Sequence, residues 1–166
     1  PVFQTLLYPT AVLRYDMLTD FTPVGMIASY PLVLAVKAQT GLKTVKDYVA
    51  WVKANPNHTT FGSAGAGGHT HFTGVQLGTT IGTSLQVVPY RGNGPLVSDL
   101  LGGQVPAGIM TAGDILPHQK AGKVNLLGVF GAKRSPLLPD VPTFIEQGIK
   151  VDAGDAWTGM WAPAKT

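Results

Sequence analysis

One stretch combines two hydroxyls, two imidazoles and a run of glycines: Phe61-Gly62-Ser63-Ala64-Gly65-Ala66-Gly67-Gly68-His69-Thr70-His71-Phe72. Thr59 to Phe61 is β-branched or aromatic and reads as the end of a strand. Gly65, Gly67 and Gly68 then permit a sharp turn in which a ligand can approach the main chain. Past His69 the pattern turns helical, with Phe72, Val75 and Thr79 on one face. A helix start presents N–H groups without intrahelical acceptors and a partial positive charge, which suits a carboxylate or phosphate. The chemistry expected of this loop is therefore the cradling of an anion, and the expected ligand is an organic acid.

Other chemistries fit the same residues less well. A P-loop needs Lys-Ser or Lys-Thr behind its glycines, and none follows here. The nucleophile elbow of an α/β-hydrolase needs glycine two residues before the serine, where Phe61 stands. His69 and His71 form a pair with no third His, Cys or carboxylate close in sequence, so a metal site is not expected. Helix capping or a hydrogen bond to the ligand is their simpler use, and His58 and His118 read as surface residues. Arg91 reads equally as a carboxylate clamp or as a solvated charge in a turn.

The elements that must position the loop alternate along the chain. Two apolar runs, Val24 to Ala28 and Leu32 to Val36, read as buried strands. Thr44 and Asp47 have capping-box spacing ahead of a helix with Val45, Tyr48, Val49 and Val52 on its face, and Asn55-Pro56 ends it. After the glycine loop and its helix, Leu85 to Val88 reads as a strand and Pro89 to Gly94 as a turn. Pro95 falls in the first turn of the next helix, which stops at Gly102-Gly103. Val105 to Met110 is a strand, Thr111 to Asp114 a turn into a short helix ending near Lys120, and Leu126 to Phe130 a strand. Phe144 to Gln147 reads as a short helix and Ala156 to Ala162 as a last strand, with Trp157 and Trp161 packed in a core or hinge. The alternation predicts an α/β fold, an open and mostly parallel sheet with helices on both faces. Ligands of such sheets bind beyond the strand carboxyl ends. Three turns belong there: Ser63 to Thr70, Tyr90 to Gly94, and Thr111 to Asp114.

Composition narrows the partners. Hydrophobic residues make up 45% and charged residues 13% of 166 positions, enough to bury the core of one domain. The net charge is +3, but Lys133-Arg134 is the only adjacent basic pair, so no nucleic-acid partner is expected. There is no cysteine, which excludes disulfides and thiolate metal sites. The chain begins with Pro1 rather than Met, so the lack of a leader sequence within it carries no information.

Several stretches, taken in order, resemble a known family. They are Asp20-Phe21-Thr22-Pro23-Val24, Phe61-Gly62-Ser63-Ala64-Gly65, Val88-Pro89-Tyr90-Arg91-Gly92, Asp99-Leu100-Leu101-Gly102-Gly103-Gln104-Val105, and Ala132-Lys133-Arg134-Ser135-Pro136 running on to Leu138-Pro139-Asp140-Val141-Pro142-Thr143. Trp157 and Ala162-Pro163 complete the set. Each is weak alone, but in this order and spacing they resemble the solute receptors of tripartite tricarboxylate transporters, the Bug or TctC-like periplasmic binding proteins. The resemblance covers nearly the whole chain.

The resemblance implies a type II periplasmic-binding-protein lobe within a two-lobed receptor. Residues 22–162 would be ligand-binding lobe two, residues 1–21 a lead-in from lobe one, and 163–166 the start of the return to it. The crossovers would lie near Phe21–Ile27 and Trp157–Trp161, and lobe one, which supplies the other half of the cleft, would be missing. Such receptors hold a ligand carboxylate through loop amides, hydroxyls and water. Carried over by position, the ligand-binding residues are Ser63, Ala64, Gly65, Gly67, Thr70 and His71 in the glycine loop, Tyr90 and Gly92 in the second turn, and Thr111 in the third.

The implied function is capture of an organic carboxylate, a dicarboxylate or an aromatic acid, in the periplasm for the membrane components of the transporter. No catalytic residue, metal or cofactor is implied. One departure stands out. Where many members read Phe-Asp-Asn, this chain reads Ile109-Met110-Thr111, so Met110 replaces an acid that could receive a ligand amine or hydroxyl. That favours a plainer carboxylate. The competing readings are a small α/β hydrolase or transferase, with Asp114 the one plausible carboxylate near the loop, and a ligand-sensing domain built on the same lobe.

Overall fold

The computed structural model describes residues 10–151 and 153–165, and residues 1–9 of the expected lead-in 1–21 lie outside them. After a helical turn at Thr10–Leu13 come β1 (Phe21–Tyr30), β2 (Leu32–Lys37), α1 (Val45–Ala54), β3 (Thr60–Ser63) and α2 (His69–Ile81). They are followed by β4 (Gln86–Pro89), α3 (Asn93–Gly102), β5 (Ala107–Thr111), α4 (Ala112–Lys120), β6 (Val124–Val129) and β7 (Ala156–Pro163).

Five strands form one sheet in the order β4-β3-β5-β2-β6. β3 is parallel to β4 and β5, while β2 is antiparallel to both β5 and β6. Four strands therefore point one way, and β2 is inserted against them. β2 explains its own sequence. It is flanked by strands on both edges and by helices on both faces, so Leu32 to Val36 are all fully buried and show no alternation.

Helices cover both faces. On one, Val45, Tyr48 and Val52 of α1 and Leu77 and Ile81 of α2 pack with Leu32, Leu34, Phe61 and Ile109. On the other, Leu96, Val97 and Leu100 of α3 and Ala112 and Ile115 of α4 pack with Val33, Ala35 and Met110. The mixed sheet with two helices on each face is the α/β architecture expected. The Thr44 capping box forms as read: the Asp47 N–H donates to Thr44 Oγ1 at 3.0 Å, and the Thr44 N–H donates to Asp47 Oδ2 at 2.9 Å.

Four readings need correction. The run Val24 to Ala28 is a strand but not a buried one. β1 pairs only with β7, antiparallel, in a separate two-stranded ribbon whose Val24, Met26 and Ile27 are each more than 60% exposed. Trp157, on β7, is half exposed rather than packed in a core. Phe144 to Gly148 forms turns instead of a helix, because Phe144 is pulled into the core and stacks on Phe130 at 4.0 Å. The buried face of α2 is Thr70, Thr73, Gly74, Leu77, Gly78 and Ile81, so Val75 and Thr79 point outward.

Candidate functional site

The sheet decides which turns meet. β3, β4 and β5 run in one direction on neighbouring positions, so their carboxyl ends at Ser63, Pro89 and Thr111 fall along a single edge. The Ser63 carbonyl ties two of the turns together. It accepts the Tyr90 N–H at 2.8 Å and the Gly65 N–H at 2.9 Å.

Helix capping separates this edge from the opposite one. α2, α3 and α4 follow β3, β4 and β5, so all three begin at the carboxyl edge. None has a side-chain hydrogen bond at its cap. α1 begins at the far edge, behind the antiparallel β2, and carries the full capping box. Three helix starts with uncapped N–H groups and positive dipole ends therefore share one edge.

Within the glycine loop, Gly65 (φ +116°) and Gly67 (φ +67°) hold backbone angles that L side chains rarely adopt. Two N–H groups are committed internally: Gly65 to Ser63 O, and Gly67 to His71 Nδ1 at 3.0 Å. The second bond places the lone pair on Nδ1, so the neutral His71 ring carries its proton on Nε2. His69 Nε2 lies 2.7 Å from Ala153 O and pins the loop to the segment leading into β7. The N–H groups of Ala66, Gly68 and Thr70 have no acceptor among the described residues, and Ala66 is exposed.

The hydroxyls are less free than their types suggest. Ser63 is fully buried. Its Oγ donates to Gly65 O at 3.0 Å and lies 2.7 Å from Thr70 Oγ1, whose residue is 8% exposed. While Ser63 donates to Gly65 O, Thr70 must donate to Ser63. Thr70 can give its proton to an anion only if Ser63 turns its own toward Thr70. Ser63 thus positions, and Thr70 is the hydroxyl that can reach out.

In the second turn, Tyr90 folds back over Gly62 and donates its hydroxyl to Asp99 Oδ2 at 2.9 Å. Desolvation and that carboxylate push its phenol up to about 12. Gly92, the cap of α3, is exposed, as is Arg91. In the third turn, Thr111 donates its hydroxyl to Asp114 Oδ2. Ala64 is half-buried in the glycine turn itself. The structure thus brings the three turns together, commits the Ser63, Thr70, Tyr90 and Thr111 hydroxyls to protein partners, and leaves loop amides open.

Two observations lay beyond sequence reasoning. Asn93, at the start of α3, donates to Thr111 Oγ1 at 3.2 Å and to Asp114 Oδ2 at 2.7 Å, joining the second turn to the third. Its Oδ1 is buried without a partner, which costs about 1–3 kcal/mol. Met110 does not face the edge at all. It is fully buried against Val33, Leu96 and Leu100, so the inference that it leaves a ligand contact apolar fails, and a carboxylate beside the third turn is supplied instead by Asp114.

A concavity of about 580 Å³ lies nearby, lined mainly by Ser29, Gly131 to Leu137, Gly154 and Asp155, and includes no residue of the glycine loop. Among the described residues no group of three or more His, Asp or Glu could hold a metal ion, and no helix is long and apolar enough to cross a membrane.

Comparison with known proteins shows the family. Residues 2–166 match the model of the tripartite tricarboxylate transporter family receptor, TctC. A UPF0065 protein of Agrobacterium vitis is 37% identical over 96% of this chain and 46% of its own length. An R. palustris protein solved with adipate is 32% identical with a TM-score of 0.84, over 92% of this chain and 51% of that one. MatC from Rhodopseudomonas palustris, solved with bound malate, is 29% identical with a TM-score of 0.83, over 99% and 55%. The chain spans about half the length of the curated relatives it matches, 46% and 47% of the first two. Its relatives include the periplasmic binding protein BugD, 32% identical with a TM-score of 0.85, and they are solute-binding receptors rather than enzymes. The chain belongs to the tripartite tricarboxylate transporter receptor family.

Proposed function

We propose that residues 22–162 form the second lobe of a two-lobed periplasmic receptor. In this reading residues 1–21 and 163–166 belong to the other lobe. The receptor captures a small organic carboxylate, a dicarboxylate or an aromatic acid, for the membrane components of a tripartite transporter. The observation that carries the reading is the edge where three uncapped helix starts meet the open amides of Ala66, Gly68 and Thr70. Uncommitted N–H groups at aligned dipole ends favour a bound anion over water without needing a salt bridge. The exposed β1–β7 ribbon supports two crossovers, since both strands leave the sheet side by side, with Tyr30 opposite Ala156. The adipate and malate held by the Rhodopseudomonas relatives support a dicarboxylate. The contacts proposed are the open amides of Ala66, Gly68 and Thr70, with Ala64, His71 and Gly92 beside them, and Ser63, Gly65, Gly67, Tyr90 and Thr111 holding the turns in place.

The test is calorimetric titration of the intact receptor and of this 166-residue lobe with succinate, malate, adipate and benzoate. Submicromolar to micromolar binding by the intact receptor, weakened about a thousandfold in the isolated lobe by the loss of some 4 kcal/mol of opposing contacts, supports the reading. Equal affinity in both would show that one lobe suffices and overturn the half-cleft. Chemical conversion of a bound acid would favour a hydrolase or transferase instead.

A further inference from the structure

At the edge of the sheet one carboxylate, Asp114, is held by two side chains, Asn93 from the second turn and Thr111 from the third. Asp114 is exposed in the first turn of α4. Its Oδ2 accepts from both Asn93 Nδ2 and Thr111 Oγ1, and Thr111 Oγ1 in turn accepts from Asn93. An acid in a first helical turn suits the dipole by itself. That role needs neither the Asn93 amide nor the Thr111 hydroxyl. It also does not account for Asn93 Oδ1, which is left buried without a donor so that both amide hydrogens can face Thr111 and Asp114. Turning the amide over would set its oxygen against the carboxylate, so the orphaned oxygen is a consequence of holding Asp114 in place. Asp114 Oδ1 has no donor among the described residues and faces solvent as a free acceptor.

The position of that acceptor matters. Thr111 ends β5 and Ser63 ends β3, and the two strands are parallel neighbours in which Ser63 registers with Ile109, two residues short of Thr111. The third turn therefore lies on the same edge as the glycine loop, one strand away from it. We propose that Asp114 is the specificity-determining residue of this edge. Its Oδ1 accepts a hydrogen bond from a hydroxyl or ammonium carried on the ligand's chain, so the site selects hydroxy- or amino-substituted acids over their unsubstituted counterparts. This rests on the carboxylate-receptor reading above and deepens it. An unpaired carboxylate discriminates in both senses. It rewards a donor, and it repels an oxygen that has no proton to give. Asn93 and Thr111 are positioning residues that fix the direction of the free oxygen.

The test compares malate with succinate, which differ by one hydroxyl, by calorimetry on the intact receptor. Wild type is expected to bind malate at least tenfold more tightly. Asp114→Asn is expected to lower the malate-to-succinate ratio at least fivefold, and Thr111→Val, which frees the anchored oxygen, to lower it in the same sense. A uniform loosening of the fold changes both affinities together and leaves the ratio unmoved, so the ratio separates recognition from stability. Circular dichroism melting of each variant confirms that it is folded, and the aspartate-to-succinate ratio repeats the comparison with an ammonium donor. A wild-type ratio near one, or one that survives both substitutions, overturns the proposal while leaving the carboxylate receptor intact. Failure of wild type to bind any of the three acids overturns the receptor reading and this proposal with it.

Discussion

Replacing Ser63 by alanine tests whether the glycine loop is held from inside. Ser63 is fully buried at the end of β3, and its Oγ makes two contacts, 3.0 Å to Gly65 O and 2.7 Å to Thr70 Oγ1. Removing the oxygen deletes both. A typical internal hydrogen bond contributes about 0.5–1.5 kcal/mol net, and an abandoned buried partner costs more. Here both partners sit near the rim, with Gly65 half-buried and Thr70 8% exposed, so water can replace part of the loss. The expected destabilisation is therefore about 1–2 kcal/mol. At about 2–4 °C per kcal/mol for a chain of this size, the Tm falls by roughly 2–8 °C. Because Ser63 does not reach the surface, ligand affinity should fall only through a looser loop, by roughly tenfold or about 1.4 kcal/mol. Thr70→Val should give the reverse balance, with a small stability loss and a drop of about 10- to 100-fold in carboxylate affinity. Urea unfolding and calorimetry on the same preparations read both quantities. An unchanged Tm together with abolished binding in Ser63→Ala would mean that Ser63 touches the ligand directly, and the inside-out account of the loop would be wrong.

Other substitutions test the packing and the charges around the site. A Cβ on Gly74 would fall inside the Phe61 ring, in the layer that seats α2 against β3, so Gly74→Ala should destabilise by about 1–3 kcal/mol in urea unfolding. Glu146 is held below its ordinary value of 4.5, first by the Thr143 N–H and then by Arg134. Its folded pKa is depressed, so its stabilisation is present above about 4.5 and is lost as the pH falls through the lower folded value. The stability difference between wild type and Glu146→Gln should therefore be present at pH 7, begin to fall near pH 4.5 and vanish only below the lowered folded value, which a pH series of thermal melts can follow.

Much of this fold could be read from the chain because local signals and tertiary structure agree. The Thr44–Asp47 box, the stop at Gly103 and the buried run Leu32 to Val36 all form where composition placed them. The apolar ribbon β1 could not be read correctly. Val24, Met26 and Ile27 have the composition of a core strand, and only topology reveals that nothing in this lobe packs on them. The Phe144 segment was read as a short helix and forms only turns, with Phe144 buried and stacked on Phe130. The turn and helix start of the glycine loop were legible from residue types alone. Its hydroxyl budget was not, because the commitment of Ser63, Tyr90 and Thr111 depends on contacts across 7, 9 and 3 positions that no periodicity encodes. Met110 was misread because alternation along β5 turns it to the α3 face, where Leu96 and Leu100 enclose it, while Asp114 reaches the edge one helical turn later.

In the proposed receptor, loop amides at the carboxyl edge of the sheet hold the anion, and amide chemical shifts report such a contact residue by residue. In a ¹H–¹⁵N correlation spectrum of the intact receptor titrated with succinate, the Ala66, Gly68 and Thr70 amide protons should move downfield together, as N–H groups do when they take on a charged acceptor. The Lys43 and Thr44 amides, already bonded to Asp47 at the capped far edge, should stay in place. Shifts confined to Gly131 to Leu137 and Gly154, around the 580 Å³ concavity, with the glycine loop unmoved, would contradict the account.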